Sequence, residues 1–204
     1  MAAKQKPKLK YTSSIKDMPF MFLEMKRTAL LLCDGKSGDE IVKMSMEQNI
    51  YQLEKDKRRR DVPLRMLKRL SSIEQPLVEI IAHGHDIEAK LTAFLALMKS
   101  DRLLFEYMRE VYADKFSVGQ EEIHDKDFLE FIDRKAQNDD TVAKWTSNSL
   151  TAIRIKIKSV ICDAGLGKRA GDVLLIQRPI VENDFVQLVK AEGTIYAKVM
   201  LMEV

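Results

Sequence analysis

Cysteine is scarce in this chain: Cys33 and Cys162 are the only two among 204 residues, and no Cys-X-X-Cys pair exists. That excludes a disulfide-stapled fold and a cysteine-based zinc module, and both thiols are expected to be reduced. Proline and glycine are few as well, 5 and 8, which excludes collagen-like and low-complexity classes and favours helix. Long apolar runs are missing. Stretches such as 29–33 and 173–176 fall far short of the roughly 20 residues that a membrane-spanning helix needs. With no secretory signal pattern at the start, the expectation is a cytoplasmic protein that makes no membrane contact.

What the chain does have is core-forming and charged residues, 46% hydrophobic and 32% charged, rich in Met, Leu, Lys and Glu. This predicts an all-α (mainly α) fold. Charge is unevenly placed: residues 1–70 hold 17 Lys/Arg against 9 Asp/Glu, a balance of +8, whereas 71–204 hold 17 against 22, a balance of −5. The expected organisation is a flexible basic arm over 1–16 (Lys4, Lys6, Lys8, Lys10), a basic helical domain over 17–75, and a helical domain over 76–204.

Periodicity places the elements. A first helix should open near Asp17 with Pro19 in its first turn, bury Phe22, Met25, Ala29 and Leu32, and stop at Gly35. Ser37 and Glu40 have capping-box spacing ahead of Ile41, so helix, glycine turn and helix trace a helix-turn-helix outline. In the second half, apolar residues at three-to-four spacing mark a helical bundle. The stretch 141–165 alternates with period two around Ile153, Ile155 and Ile157. Over a wider window Leu150, Ile153, Ile157, Val160 and Ile161 repeat as a helix that ends on Gly165. A strand at 173–177 follows, giving a short β-wing near the C-terminus, while 194–204 reads as either helix or strand.

The segment 55–70 is the strongest functional signal, with eight Lys/Arg. A helix capped by Asp61, with Pro63 in its first turn, would gather Arg65, Lys68 and Arg69 on one side and Met66, Leu67, Leu70 and Ile73 on the other. Lys55, Lys57, Arg58, Arg59 and Arg60 precede it. Such a run is relieved by solvent, by acids or by a polyanion, and aligned with the helix face it could neutralise several phosphates. Arg154, Lys158, Lys168 and Arg169 form a second basic group beside the expected wing.

Motifs for chemistry fail on spacing. Gly35, Lys36 and Ser37 lack the upstream glycine of a phosphate loop, because position 30 is Leu. Gly165, Gly167 and Ala170 fit a dinucleotide pattern but follow a helix rather than a strand. His83 and His85 flank a glycine better read as a helix stop, with no further ligand in step. His124 has no nucleophile motif to serve, and Trp145 reads as a core residue. No catalytic residue, metal, cofactor or small-molecule substrate is expected.

Tyr11, Asn49 to Gln52, Lys57 to Arg60, Arg69 and Leu70, Asp127 to Phe131, Lys135 and Ala136, Ser149 and Leu150, and Ala164 to Leu166 together resemble the BrxA family of bacteriophage-exclusion (BREX) systems. The resemblance implies a small helical accessory protein of a phage-defence system that works beside a methyltransferase and ATPases. Combined with the basic patches, it predicts a non-enzymatic protein that binds duplex DNA mainly through phosphates. Two alternatives stay open: an adaptor that meets an acidic partner surface, and RNA binding.

Overall fold

The computed structural model describes residues 9–202; Lys4, Lys6 and Lys8 of the expected arm lie outside them. Residues 9–16 are not free: Tyr11 and Ile15 are buried, and 14–16 form a 3₁₀ turn. Helix α1 (Phe22–Cys33) therefore opens later than the sequence predicts. Phe20, buried and stacked on Phe22 with ring centroids 5.8 Å apart, takes up the intervening chain. The helix closes on Gly35 at φ 80°, where Gly35 N–H donates to Leu32 O and Lys36 N–H to Leu31 O, a Schellman motif that favours glycine at this left-handed position. Helix α2 (Gly38–Gln48) opens with the expected capping box between Ser37 and Glu40.

Helix α3 (Asp56–Leu70) begins at Asp56, not at Asp61, so Pro63 lies in its interior. A proline there cannot donate to the carbonyl four residues back. That carbonyl, Arg59 O, instead accepts from the buried hydroxyl of Ser45 at 2.5 Å, and the bond ties α2 to α3. Helices α4 (Gln75–His83) and α5 (Asp86–Ser100) follow. The run Leu91 to Met98 is buried on every face, the signature of a helix at the centre of a core. The apolar cluster is continuous across residues 75–76, where composition changes sign. Among the described residues no helix is long and apolar enough to cross a membrane.

Helix α6 (Arg102–Tyr107) runs through a π-helical turn (Met108–Tyr112) into α7 (Ala113–Ser117). Then come β1 (Glu122–Ile123), α8 (Asp125–Ala136), α9 (Asp140–Ala143), α10 (Ser147–Asp163), β2 (Gly167–Ala170) and β3 (Val173–Ile176). The three strands form one antiparallel sheet in the order β1-β3-β2. The alternating isoleucines of 153–157 are thus helical, and the wing is a β2–β3 hairpin turned by Gly171 at φ 60° and Asp172, glycine being favoured first in a two-residue turn. Tyr112 docks the sheet, with its hydroxyl 2.6 Å from Leu166 O and 3.0 Å from Gln177 O. Helix α11 (Asn183–Glu192) and α12 (Thr194–Val199) complete the fold, so the ambiguous tail is helical through Val199.

Candidate nucleic-acid interface

Starting α3 at Asp56 changes which of its cations face water. Lys57, Arg60, Leu64 and Lys68 recur every three or four residues and are all exposed. They draw a line about 16 Å long at 1.5 Å per residue. Arg58 and Arg65 flank it, half-buried, and Lys55 is exposed at the N-cap. Among the described residues, Lys55, Lys57, Arg58, Arg65 and Lys68 make no ion pair, and Arg60 meets only its neighbour Asp61 at 3.1 Å.

Two of the predicted contacts are structural instead. Arg59 turns back, with Nε donating to Leu53 O at 2.8 Å and Nη1 3.3 Å from Asp56. Arg69 lies on the buried face beside Met66 and Leu70, where its guanidinium donates to Met18 O and Phe20 O. Burial, with Arg65 nearby, lowers its pKa to about 10. The sequence places Arg69 with Arg65 and Lys68 because a helix wheel cannot reveal that the 18–20 segment crosses over that flank.

The second basic group behaves in the same way. Asp125, at the start of α8, pairs with Arg154 at 2.9 Å and with Lys158. Lys158 is buried, and its ammonium also donates to Asp172 O in the wing's turn. Arg169 is exposed but donates to Ile155 O at 3.2 Å, and Lys168 is exposed with no such bond. In this group, then, Lys168 is exposed without a partner among the described residues, Arg169 is exposed but bonded, and Arg154 and Lys158 are engaged by Asp125. Among the described residues no group of three or more His, Cys, Asp or Glu could hold a metal ion. Gly84 ends α4, since a Cβ there would lie 2.6 Å from Ile80 O.

The family model for BrxA matches residues 9–193. The chain belongs to the BrxA family. It is 31% identical over 194 residues to the BREX protein BrxA of Bacillus cereus (strain H3081.97), covering 95% of this chain and 97% of that protein. A crystal structure of an uncharacterized protein from Magnetospirillum magneticum shares the fold with a TM-score of 0.78 at 18% identity, over 96% of this chain and all of the other.

The residues that carry the BrxA resemblance are mostly joints of the structure. The Tyr11 hydroxyl donates to the Glu106 carboxylate, which also accepts from Arg102 at 2.8 Å and lies 2.7 Å from Lys135 Nζ. Arg102 stacks over the Tyr11 ring at 3.8 Å. Burial alone would raise the Glu106 carboxyl, but bonds from Lys135, Tyr11 and Arg102 outweigh it and bring its pKa down to about 2. Asn49, at φ 50°, accepts from Leu53 N–H at 2.7 Å, and the Tyr51 hydroxyl lies 2.7 Å from that of Thr28. Asp127 accepts from His124 N–H, while Phe131 packs edge-on against Tyr107. In this BrxA family chain the motif residues build the frame, and the exposed cations stand on it.

Proposed function

We propose that this BrxA family chain is a non-enzymatic, DNA-binding accessory protein of a BREX phage-defence system. It acts in the cytoplasm beside the system's methyltransferase and ATPases, and contacts duplex phosphates with Lys55, Lys57, Arg58, Arg60, Arg65 and Lys68. The observation that carries this reading is where the charge sits. Lys57, Arg58, Arg59 and Arg60 occupy the first turns of α3, the positive end of a helix, where a cation costs about 0.3–1 kcal/mol. Mutual repulsion adds to that cost, and Asp56 and Asp61 offset only part of it. A cluster unfavourable to its own helix is explained by a polyanion that neutralises it, with release of counterions as the driving force.

The helix-turn-helix reading of α1 and α2 contributes little here, because α2 carries Asp39, Glu40 and Glu47 against Lys43. A second reading has one observation in its favour: Leu64 is 51% exposed in the middle of the cationic line, as an adaptor meeting an acidic, partly apolar protein surface would require. Gel-shift titration against duplex DNA at two salt concentrations separates the two. Duplex binding that weakens with salt and is reduced, with a shallower salt dependence, in the Lys57→Glu, Arg58→Glu, Arg60→Glu variant supports the DNA reading. Background duplex binding, together with patch-dependent co-purification of the other defence proteins, supports the adaptor. Preference for structured RNA over duplex in competition would assign the patch to RNA.

A further inference from the structure

We propose that α10 and the β2–β3 wing form a second, base-reading contact with duplex DNA, distinct from the phosphate-binding line on α3; this rests on the DNA-binding reading above. The outer face of α10 is unusual for a solvated helix. Its exposed residues from the N-terminus to mid-helix are Ser147, Asn148, Thr151 and Ile155, none of them charged, and Ile155 is 47% exposed. The side chains of Asn148 and Thr151 have no hydrogen-bond partner within the described residues.

Cations frame this face. Lys144 precedes it in the turn, Lys156 flanks it, and Lys168 and Arg169 stand on the wing beside it. Of the acids of the same unit, Asp139 and Asp140 stand at the start of α9, Asp163 two turns beyond Ile155 and Asp172 in the wing's turn, while Asp125 is paired with Arg154 and Lys158. From Ser147 to Ile155 the helix rises about 12 Å, and the major groove, roughly 12 Å wide, admits an α-helix across its diameter of about 10–12 Å. There an asparagine amide bonds two atoms of an adenine edge, while threonine and isoleucine methyls meet the thymine methyl. Wing lysine and arginine would reach the flanking phosphates, which position the reader without carrying sequence information.

The engaged cations tie helix and wing together. Lys158 bonds Asp125 of α8 and Asp172 O of the wing, Arg154 bonds Asp125 from the neighbouring turn, and Arg169 bonds Ile155 O. Together with Tyr112, which bonds the chain on either side of the hairpin at Leu166 O and Gln177 O, these bonds fix the angle between helix and wing. A groove reader needs that angle fixed before binding.

The test is selection from a pool of random-sequence duplexes, followed by competition between the enriched duplex and a scrambled one. The wild-type chain should enrich a motif containing adenine. Asn148→Ala with Thr151→Ala should lower the preference for the enriched over the scrambled duplex about tenfold, with melting temperature and affinity for the scrambled duplex unchanged. Asn148→Gln provides a second variant, whose enriched motif should shift at one position. Duplex binding with no motif, or a motif unaltered by either α10 variant, overturns this inference and leaves the α3 reading standing. Failure of the wild-type chain to bind any duplex overturns the DNA-binding reading itself.

Discussion

The basic groups on α3 and around α10 look alike in sequence and differ in what their charges do. On α3, Lys55, Lys57, Arg58 and Arg60 meet water at the positive end of the helix and Arg65 and Lys68 further along it, and only Arg59 and Arg69 are turned to structural use. Around α10 the proportion reverses: Arg154 and Lys158 are taken by Asp125 and Asp172 O, leaving the wing pair exposed. A run of Lys and Arg therefore has no fixed meaning. Its role depends on whether a carboxylate or carbonyl from another element reaches it.

Substitutions that remove an engaged charge should cost stability and leave the α3 contact intact. The largest loss is expected for Asp125→Ala, which leaves the buried Lys158 ammonium with only Asp172 O; about 3 kcal/mol is expected in urea unfolding, the low end for breaking a buried pair because Asp125 is partly exposed. Arg69→Met should cost about 2 kcal/mol, since Met18 O and Phe20 O lose their donors. Ser45→Ala follows at about 1 kcal/mol, because Pro63 cannot replace the donor to Arg59 O.

Acid titration probes the frame apart from either patch. A carboxylate with a depressed pKa stabilises the folded state above its unfolded value, about 4.3, and that contribution is lost as pH falls toward the folded value. With Glu106 near 2, stability should decline between about pH 4.3 and pH 2. The slope should be shallower in Glu106→Gln, as measured by unfolding at successive pH values. In the opposite direction, Lys57→Glu with Arg58→Glu and Arg60→Glu should raise stability by about 1 kcal/mol, since three cations leave the positive end of α3.

Much of the fold could be read from local chemistry. The Ser37 capping box, the Gly35 stop and the long α10 ending at Gly165 each depend on a few adjacent residues, and all three are present. Expectation and structure part where distant segments intervene. The start of α3 differs from the expected Asp61 because Pro63 is a good first-turn residue, and Ser45, from the preceding helix, makes it tolerable in the interior. Likewise, no spacing rule connects Lys158 with Asp125, 33 positions earlier, or Tyr11 with Glu106. At the candidate site, the exposed α3 cations were legible because charge runs are local. The uncharged face of α10 carried no motif and was recognisable only once its burial was known.

The central claim is that the free α3 cations bind duplex phosphates, and the salt dependence of binding tests it most directly. The slope of log affinity against log salt should be negative in the wild-type chain. It should become shallower by about 2.7 in the Lys57, Arg58, Arg60→Glu variant, at about 0.9 for each lost phosphate contact, and stay unchanged in Arg69→Met. An equal slope in the wild-type chain and the triple variant would contradict the account.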